Sequence, residues 1–218
     1  MLTLALDTAN RRGGFALARG GVIMASRSVD APDGFAGIVY SEIESLLADH
    51  GYRIPDVDIW APASGPGSFT GVRIGLTAAK ALAEVTGRPA VPISNLEALA
   101  FAGSGDLRAA VMDARRGQVF TALYDATVTP ILEPSVETWP DFLARLEDRQ
   151  PQLIAPEESV FGDDGPASLI NVDSALIVGA LADSIALLAE QRALRGETTT
   201  PEQLEPVYVR RPDVREPE

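Results

Sequence analysis

The string Gly65-Pro66-Gly67-Ser68-Phe69-Thr70-Gly71-Val72-Arg73-Ile74-Gly75 joins two stretches of different character. Before it, Val57 to Ala63 is a short, mostly apolar run with the length of a strand. After it, Val72 to Thr86 is apolar around most of a helical circumference, with Arg73, Thr77, Lys80 and Glu84 on one polar stripe. This spacing predicts a helix buried on nearly all sides, ended by Gly87 and Pro89. Backbone N–H groups of a glycine loop at a helix N-terminus can cradle an anion, aided by the helix dipole. The string lacks both the Lys-Ser/Thr ending of a P-loop and the spacing of a dinucleotide fingerprint. Two readings stay open: an anion site at Gly65, Pro66, Gly67, Ser68, Phe69, Thr70, Gly71 and Arg73, or glycines that let the helix pack closely on its neighbours.

Working outward, residues 2–7, 14–19 and Val22 to Val29 read as strands, with Gly20-Gly21 as the tight turn between the last two. Phe35 to His50 carries Val39, Ile43, Leu46 and Leu47 at helical spacing. A fifth short strand is predicted at Pro89 to Ile93, and a further helix from about Asn95. Small residues at Gly103-Ser104-Gly105 mark a boundary, giving sub-domains of residues 1–103 and 104–218. The second reads as a reduced version of the first. Strands are predicted at Leu107 to Met112, Gln118 to Asp125 and Val128 to Glu133, and helices at Pro140 to Leu146 and Ser174 to Leu194. After Thr198 the chain is rich in Pro and Glu, and Val207-Tyr208-Val209 reads as an edge strand or a docked segment.

Composition narrows the chemistry. The 218 residues are 46% hydrophobic and 22% charged, ordinary for a compact soluble fold. A net charge of −13 repels polyanions, and Arg11-Arg12, Arg115-Arg116 and Arg210-Arg211 are pairs rather than an RNA-binding stripe. With no cysteine there is no disulfide, thiolate ligand or thiol nucleophile, and the single histidine, His50, cannot build a histidine cluster. Met1 to Asp7 lacks the basic region and apolar core of a signal peptide. The longest apolar run, Ala175 to Ala182, falls well short of the roughly 20 residues of a membrane span. A cytoplasmic protein is expected. Ser68, Thr70, Asp7 and Asp113 could be grouped as nucleophile and base, with Lys80 as a further base, but no His or suitably placed Lys completes the set.

The Gly65–Gly75 string resembles the signature of the TsaB family, also called YeaZ. Leu4-Ala5-Leu6-Asp7-Thr8 is similar to that family's opening strand. Asp113-Ala114-Arg115-Arg116-Gly117-Gln118-Val119-Phe120 resembles the start of its second half, and Pro206-Val207-Tyr208-Val209-Arg210 its C-terminal segment. The matches lie in order along almost the whole chain. The resemblance implies the α/β fold shared by actin, sugar kinases and heat-shock chaperones, a duplicated ribonuclease H-like fold with a mixed five-stranded sheet in each sub-domain. In active relatives the acidic residue ending the first strand is followed by a glycine-containing phosphate turn, whereas here Asp7 leads into Thr8-Ala9-Asn10 before Gly13-Gly14. Where a second phosphate loop is usual, Gly162-Asp163-Asp164-Gly165 reads as an acidic surface turn. Asp33-Gly34-Phe35 stands where many TsaB sequences have a histidine.

The implied function is a non-catalytic scaffold or activator in the machinery that forms threonylcarbamoyladenosine in tRNA, pairing with the catalytic paralogue TsaD and joined by the ATPase TsaE. TsaD holds a metal with a histidine pair four residues apart and an aspartate; one histidine cannot supply this, so neither metal nor catalytic residue is expected here. The resemblance places the partner contact on Phe35–His50 and Val72–Thr86, through Val39, Ile43, Leu46, Val72, Arg73, Leu76, Thr77 and Lys80. Burial between sheet and loops of the same chain is the other explanation of their apolar faces. Without TsaD the same surface is expected to form a homodimer. ATP or ADP is expected only at an interface within the complex, and tRNA is reached only through the complex. The alternatives are an ATP-dependent small-molecule phosphotransferase and, more remotely, a metallopeptidase.

Overall fold

Leu2 to Asp7 is apolar at all but two positions, and every one of its residues is buried, as a strand covered on both faces requires. This strand, β1 (Leu2–Asp7), pairs antiparallel with β2 (Arg12–Arg19), placing Leu4 opposite Leu17 and Leu6 opposite Phe15. β3 (Val22–Asp30) is the outer strand, alternating exposed and half-buried positions, and β4 (Ile59–Pro62) runs parallel to β1 on the other side. The sheet order is β3-β2-β1-β4. The computed structural model describes residues 1–161 and 174–209. The acidic turn Gly162–Gly165 and the Arg210-Arg211 pair lie outside the described residues.

The second half repeats the arrangement. β5 (Leu107–Asp113), β6 (Val119–Asp125) and β7 (Pro130–Glu137) form an antiparallel meander, and β8 (Gln152–Ala155) and β9 (Ser174–Ile177) continue in parallel beside β5. The order β7-β6-β5-β8-β9 matches the first sheet strand for strand, with one strand more. Alternation along β5 splits its side chains between two cores: Ala110 and Met112 face the first half, Ala109 and Val111 the outer cluster.

Helices separate and flank the sheets. α1 (Val39–Asp49) and α2 (Phe69–Thr86) cover one face of the first sheet. Between the sheets lie α3 (Asn95–Ala102), which packs on β5, and α5 (Ala182–Leu194), which packs on β1, β2 and β4 and against α3. α4 (Trp139–Leu146) closes the outer face of the second sheet with Phe142 and Leu146. No helix among the described residues is long and apolar enough to cross a membrane.

Several expectations need correction. Pro89 to Ile93 follows β4 in parallel, but through isolated bridges at Ala90 and Ile93 rather than as a strand. Val91 N–H donates to Trp60 O and Ile93 N–H to Pro62 O, but Pro62 has no N–H to give Val91 O, and the ladder is interrupted there. The first sheet therefore has four strands, not five. Ser174 to Leu194 is not one helix: β9 takes its start, Gly179 turns the chain at φ +64°, and α5 begins at Ala182. The strands of the two sheets lie on either side of residues 103 and 104, yet α5, from the second half, packs on the first sheet. Its Glu190 carboxylate accepts hydrogen bonds from Gly20 N–H at 2.8 Å and Gly21 N–H at 2.7 Å, fastening the β2–β3 turn. α1 starts four residues later than predicted and α2 three earlier, because Ser68 caps it: Ser68 Oγ accepts from Gly71 N–H at 3.3 Å.

Candidate functional site

The turn after β1 lies directly on the N-terminal half of α2. Gly71 and Gly75, one helical turn apart, share the contacting face. A Cβ on Gly71 would fall 2.1 Å from Thr8 O, and one on Gly75 would fall 2.5 Å from Thr8 Oγ1. Only glycine lets the two backbones approach this closely. Thr8 Oγ1 donates to Gly71 O at 2.7 Å, and Ser68 N–H donates to Ala9 O at 2.7 Å. The glycines of the string thus serve close packing, and the N–H groups of Gly65, Ser68 and Gly71 are already bonded within the chain.

Asp7 ends β1 beneath this contact and is fully buried. Its Oδ1 accepts from Ala9 N–H at 3.0 Å and from Asn95 Nδ2 at 3.3 Å, and Asn95 Oδ1 accepts from Gly65 N–H at 3.0 Å. Asn95 therefore ties the end of β1 to the glycine string. Asp7 Oδ2 has no partner at hydrogen-bonding distance. Burial raises the Asp7 pKa above its ordinary value, against the opposing Ala9 and Asn95 hydrogen bonds to Oδ1.

Two concavities flank the string. A cleft of about 810 Å³ opens between the two halves, lined by the β1–β2 turn, the string, the β5–β6 turn and the C-terminal segment. A shallower groove of about 410 Å³ runs between α1 and α2, floored by Val39 and Ala78 and rimmed by Tyr40, Phe69, Ile74 and Thr77.

The family model described as "TsaD: tRNA N6-adenosine threonylcarbamoyltransferase" matches residues 31–155, more than half of the chain. The Escherichia coli "tRNA threonylcarbamoyladenosine biosynthesis protein TsaB" is 29% identical over 222 residues, covering 96% of this chain and 95% of that protein. Its Bacillus subtilis namesake is 40% identical over 126 residues, 57% of this chain and 55% of that protein. In structure, "YeaZ from Pseudomonas aeruginosa" superposes with a TM-score of 0.76 at 25% identity, covering 95% of this chain and 99% of that one. The chain belongs to the TsaB (YeaZ) family. With its two mixed sheets, this TsaB-family chain has the actin- and ribonuclease H-like fold.

The structure divides the residues expected at the partner contact of a TsaB-family chain. Ile43, Leu46 and Leu76 are buried in the chain's own core; Val72 is buried too, at the wall of the cleft, and Val39 at the floor of the groove. Arg73, Thr77 and Lys80 are exposed. Two of these already hold the C-terminal segment: Lys80 Nζ donates to Glu202 O at 3.3 Å, and Arg73 donates to the Tyr208 hydroxyl. Pro206–Val209 is a docked segment rather than a strand, anchored where Val207 N–H donates to Ser64 O at 2.8 Å. Sequence reasoning passed over Tyr40, Ile74 and Asn95; Tyr40 carried a signal, a large ring one position off the α1 apolar stripe.

The grouping of Ser68, Thr70, Asp7 and Asp113 is not assembled. Ser68 and Asp113 line the cleft, Thr70 lines the groove, and Asp7 is sealed in the core. His50 caps the end of α1, its Nδ1 3.0 Å from Leu46 O. Among the described residues no group of three or more His, Asp or Glu side chains could hold a metal ion.

Proposed function

We propose that this chain is the scaffold or activator subunit of the machinery that forms threonylcarbamoyladenosine in tRNA, without a catalytic centre of its own. It pairs with TsaD, and TsaE joins the assembly. The observation that carries the reading is the exposed apolar groove between α1 and α2 in a chain of the TsaB family. Tyr40 and Phe69 are about half exposed at its rim, at 47% and 50%, and an apolar groove with an aromatic rim suits the buried centre of a protein interface. In the lone subunit the same groove would pair two copies, and ATP or ADP would bind only at an interface within the complex. A cytoplasmic location fits this role. The tRNA would be held mainly by partners, since a net charge of −13 opposes direct binding.

The test is co-purification with the TsaD of the same organism, followed by a tRNA-modification assay in which each subunit is omitted in turn. A stable complex, with modification lost when this chain is left out and absent from this chain alone, is the expected result. Failure to associate, or modification unaffected by the omission, would overturn the proposal.

A further inference from the structure

Phe69, Arg73 and Tyr208 form one cluster on the ridge between the two concavities. Arg73 lines the groove, Tyr208 lines the cleft, and Phe69 lines both. The Arg73 guanidinium sits over the Phe69 ring, and the Tyr208 ring stacks on Phe69 at an interplanar angle of 28°. Arg73 spends Nε and one hydrogen of Nη2 on the Tyr208 hydroxyl, while Nη1 makes no hydrogen bond or ion pair among the described residues. Its positive charge is therefore held by neutral groups and is left open toward the groove. The segment that brings Tyr208 to this ridge is fixed at other points along its length. Thr199 and Ala90 exchange two backbone hydrogen bonds, at 2.8 and 3.0 Å, Leu204 is buried in the first core, and Val207 N–H donates to Ser64 O.

We propose that Tyr208 is a positioning residue of the partner interface: from the cleft side it holds Arg73 on the groove rim, where the free edge of the guanidinium meets a carboxylate side chain of the docked partner. This rests on the reading of the groove as the TsaD site and adds the chemistry of the contact and its control by the C-terminal segment. A carboxylate suits the free edge because Nη1 and the remaining hydrogen of Nη2 form a two-pronged donor. A long exposed arginine loses much rotamer freedom on binding, and Tyr208 and Phe69 remove most of that freedom beforehand. Docking of the segment and docking of the partner thus favour each other, and by linkage the partner must tighten the segment as much as the segment tightens the partner.

The test is the affinity of the full chain for the TsaD of the same organism, measured for the natural protein, Tyr208→Phe, Tyr208→Ala, Arg73→Met and the double variant Arg73→Met with Tyr208→Ala. Tyr208→Ala should weaken binding about tenfold, and Tyr208→Phe, which keeps the ring and loses the acceptor, by less. Arg73→Met should weaken it at least as much and flatten its dependence on salt. In the double variant Tyr208→Ala should add no further loss, because Tyr208 acts through Arg73; a merely structural role would give losses that add. Amide exchange at Val207 should slow when TsaD is bound. Unchanged affinity in Tyr208→Ala, additive losses, or unchanged exchange at Val207 overturns the coupling while leaving the groove as the interface. Tighter binding by Tyr208→Ala overturns it too, because the segment would then compete with the partner. If the natural protein does not bind TsaD, the groove reading itself falls and the coupling with it.

Discussion

Arg73 on α2 donates from Nε and Nη2 to the Tyr208 hydroxyl, at 3.1 and 2.9 Å, across 135 positions of chain. Its guanidinium carbon lies 3.7 Å from the centroid of Phe69, and the Phe69 and Tyr208 rings stack at 5.8 Å. One exposed arginine thus locks the C-terminal segment onto the rim shared by the cleft and the α1–α2 groove. Tyr208→Ala should free this segment: faster proteolysis after Thr199 and faster amide exchange at Val207, with a stability loss of about 1 kcal/mol, the scale of an exposed stacked pair with its cation–π contact. Unchanged exchange at Val207 would refute the lock.

Groove and clamp can be separated by mutation. Tyr40→Glu places a charge on the rim without touching the core, so thermal stability should be nearly unchanged while co-purification with TsaD falls at least tenfold. Arg73→Glu disturbs the C-terminal clamp as well and is the less specific probe. Normal TsaD binding by Tyr40→Glu would remove the groove from the interface.

Gly71→Ala tests the packing of α2 on the β1–β2 turn. A methyl group 2.1 Å from Thr8 O forces the helix away or strains the turn, and overpacking of this kind costs about 1–3 kcal/mol or more. Gly37→Ala, with nothing within 4 Å of the added carbon, is the matched control. Urea denaturation should show a lowered midpoint for the first and little change for the second.

Glu190→Ala removes the acceptor of two N–H groups at the β2–β3 turn, both under 3 Å. Hydrogen bonds to a charged group contribute about 1.5–3 kcal/mol, so a loss near that size is expected in urea denaturation. A loss below 0.5 kcal/mol, roughly the scatter of neutral surface substitutions, would mean that the turn holds without α5.

Asp7 gives a pH signature. Its pKa is raised in the folded state from the ordinary 3.8, so the folded protein binds this proton more readily than the unfolded chain does. The stabilisation linked to that proton is fully present below 3.8 and is lost as pH rises through the folded value. Relative to Asp7→Asn, which cannot ionise, the natural protein should therefore lose stability as pH climbs from about 4 toward neutrality. Denaturation midpoints of both proteins from pH 4 to 8 read the difference directly, and parallel curves would contradict it.

Periodicity determined most of the elements. The apolar run at Leu2–Leu6, the helical spacing of Val39, Ile43, Leu46 and Leu47, and the stop at Gly87 are local signals, and the structure has β1, α1 and the end of α2 where they lie. The Gly65–Gly75 string and its companion motifs were enough to indicate the family, because their order along the chain is itself information. Local signals could not say what each apolar face would meet. Ile43, Leu46, Val72 and Leu76 read equally as interface or core, and only the folded chain shows them buried against their own sheet. Pro62 on β4, which has no N–H to give Val91 O, kept Pro89–Ile93 from becoming a strand beside it. Neither the placing of α5 on the first sheet nor the meeting of Arg11-Arg12 with Arg115-Arg116 at one cleft has any signature along the chain. Both depend on how two halves pack across a shared core, a relation between residues about a hundred positions or more apart that no local window contains.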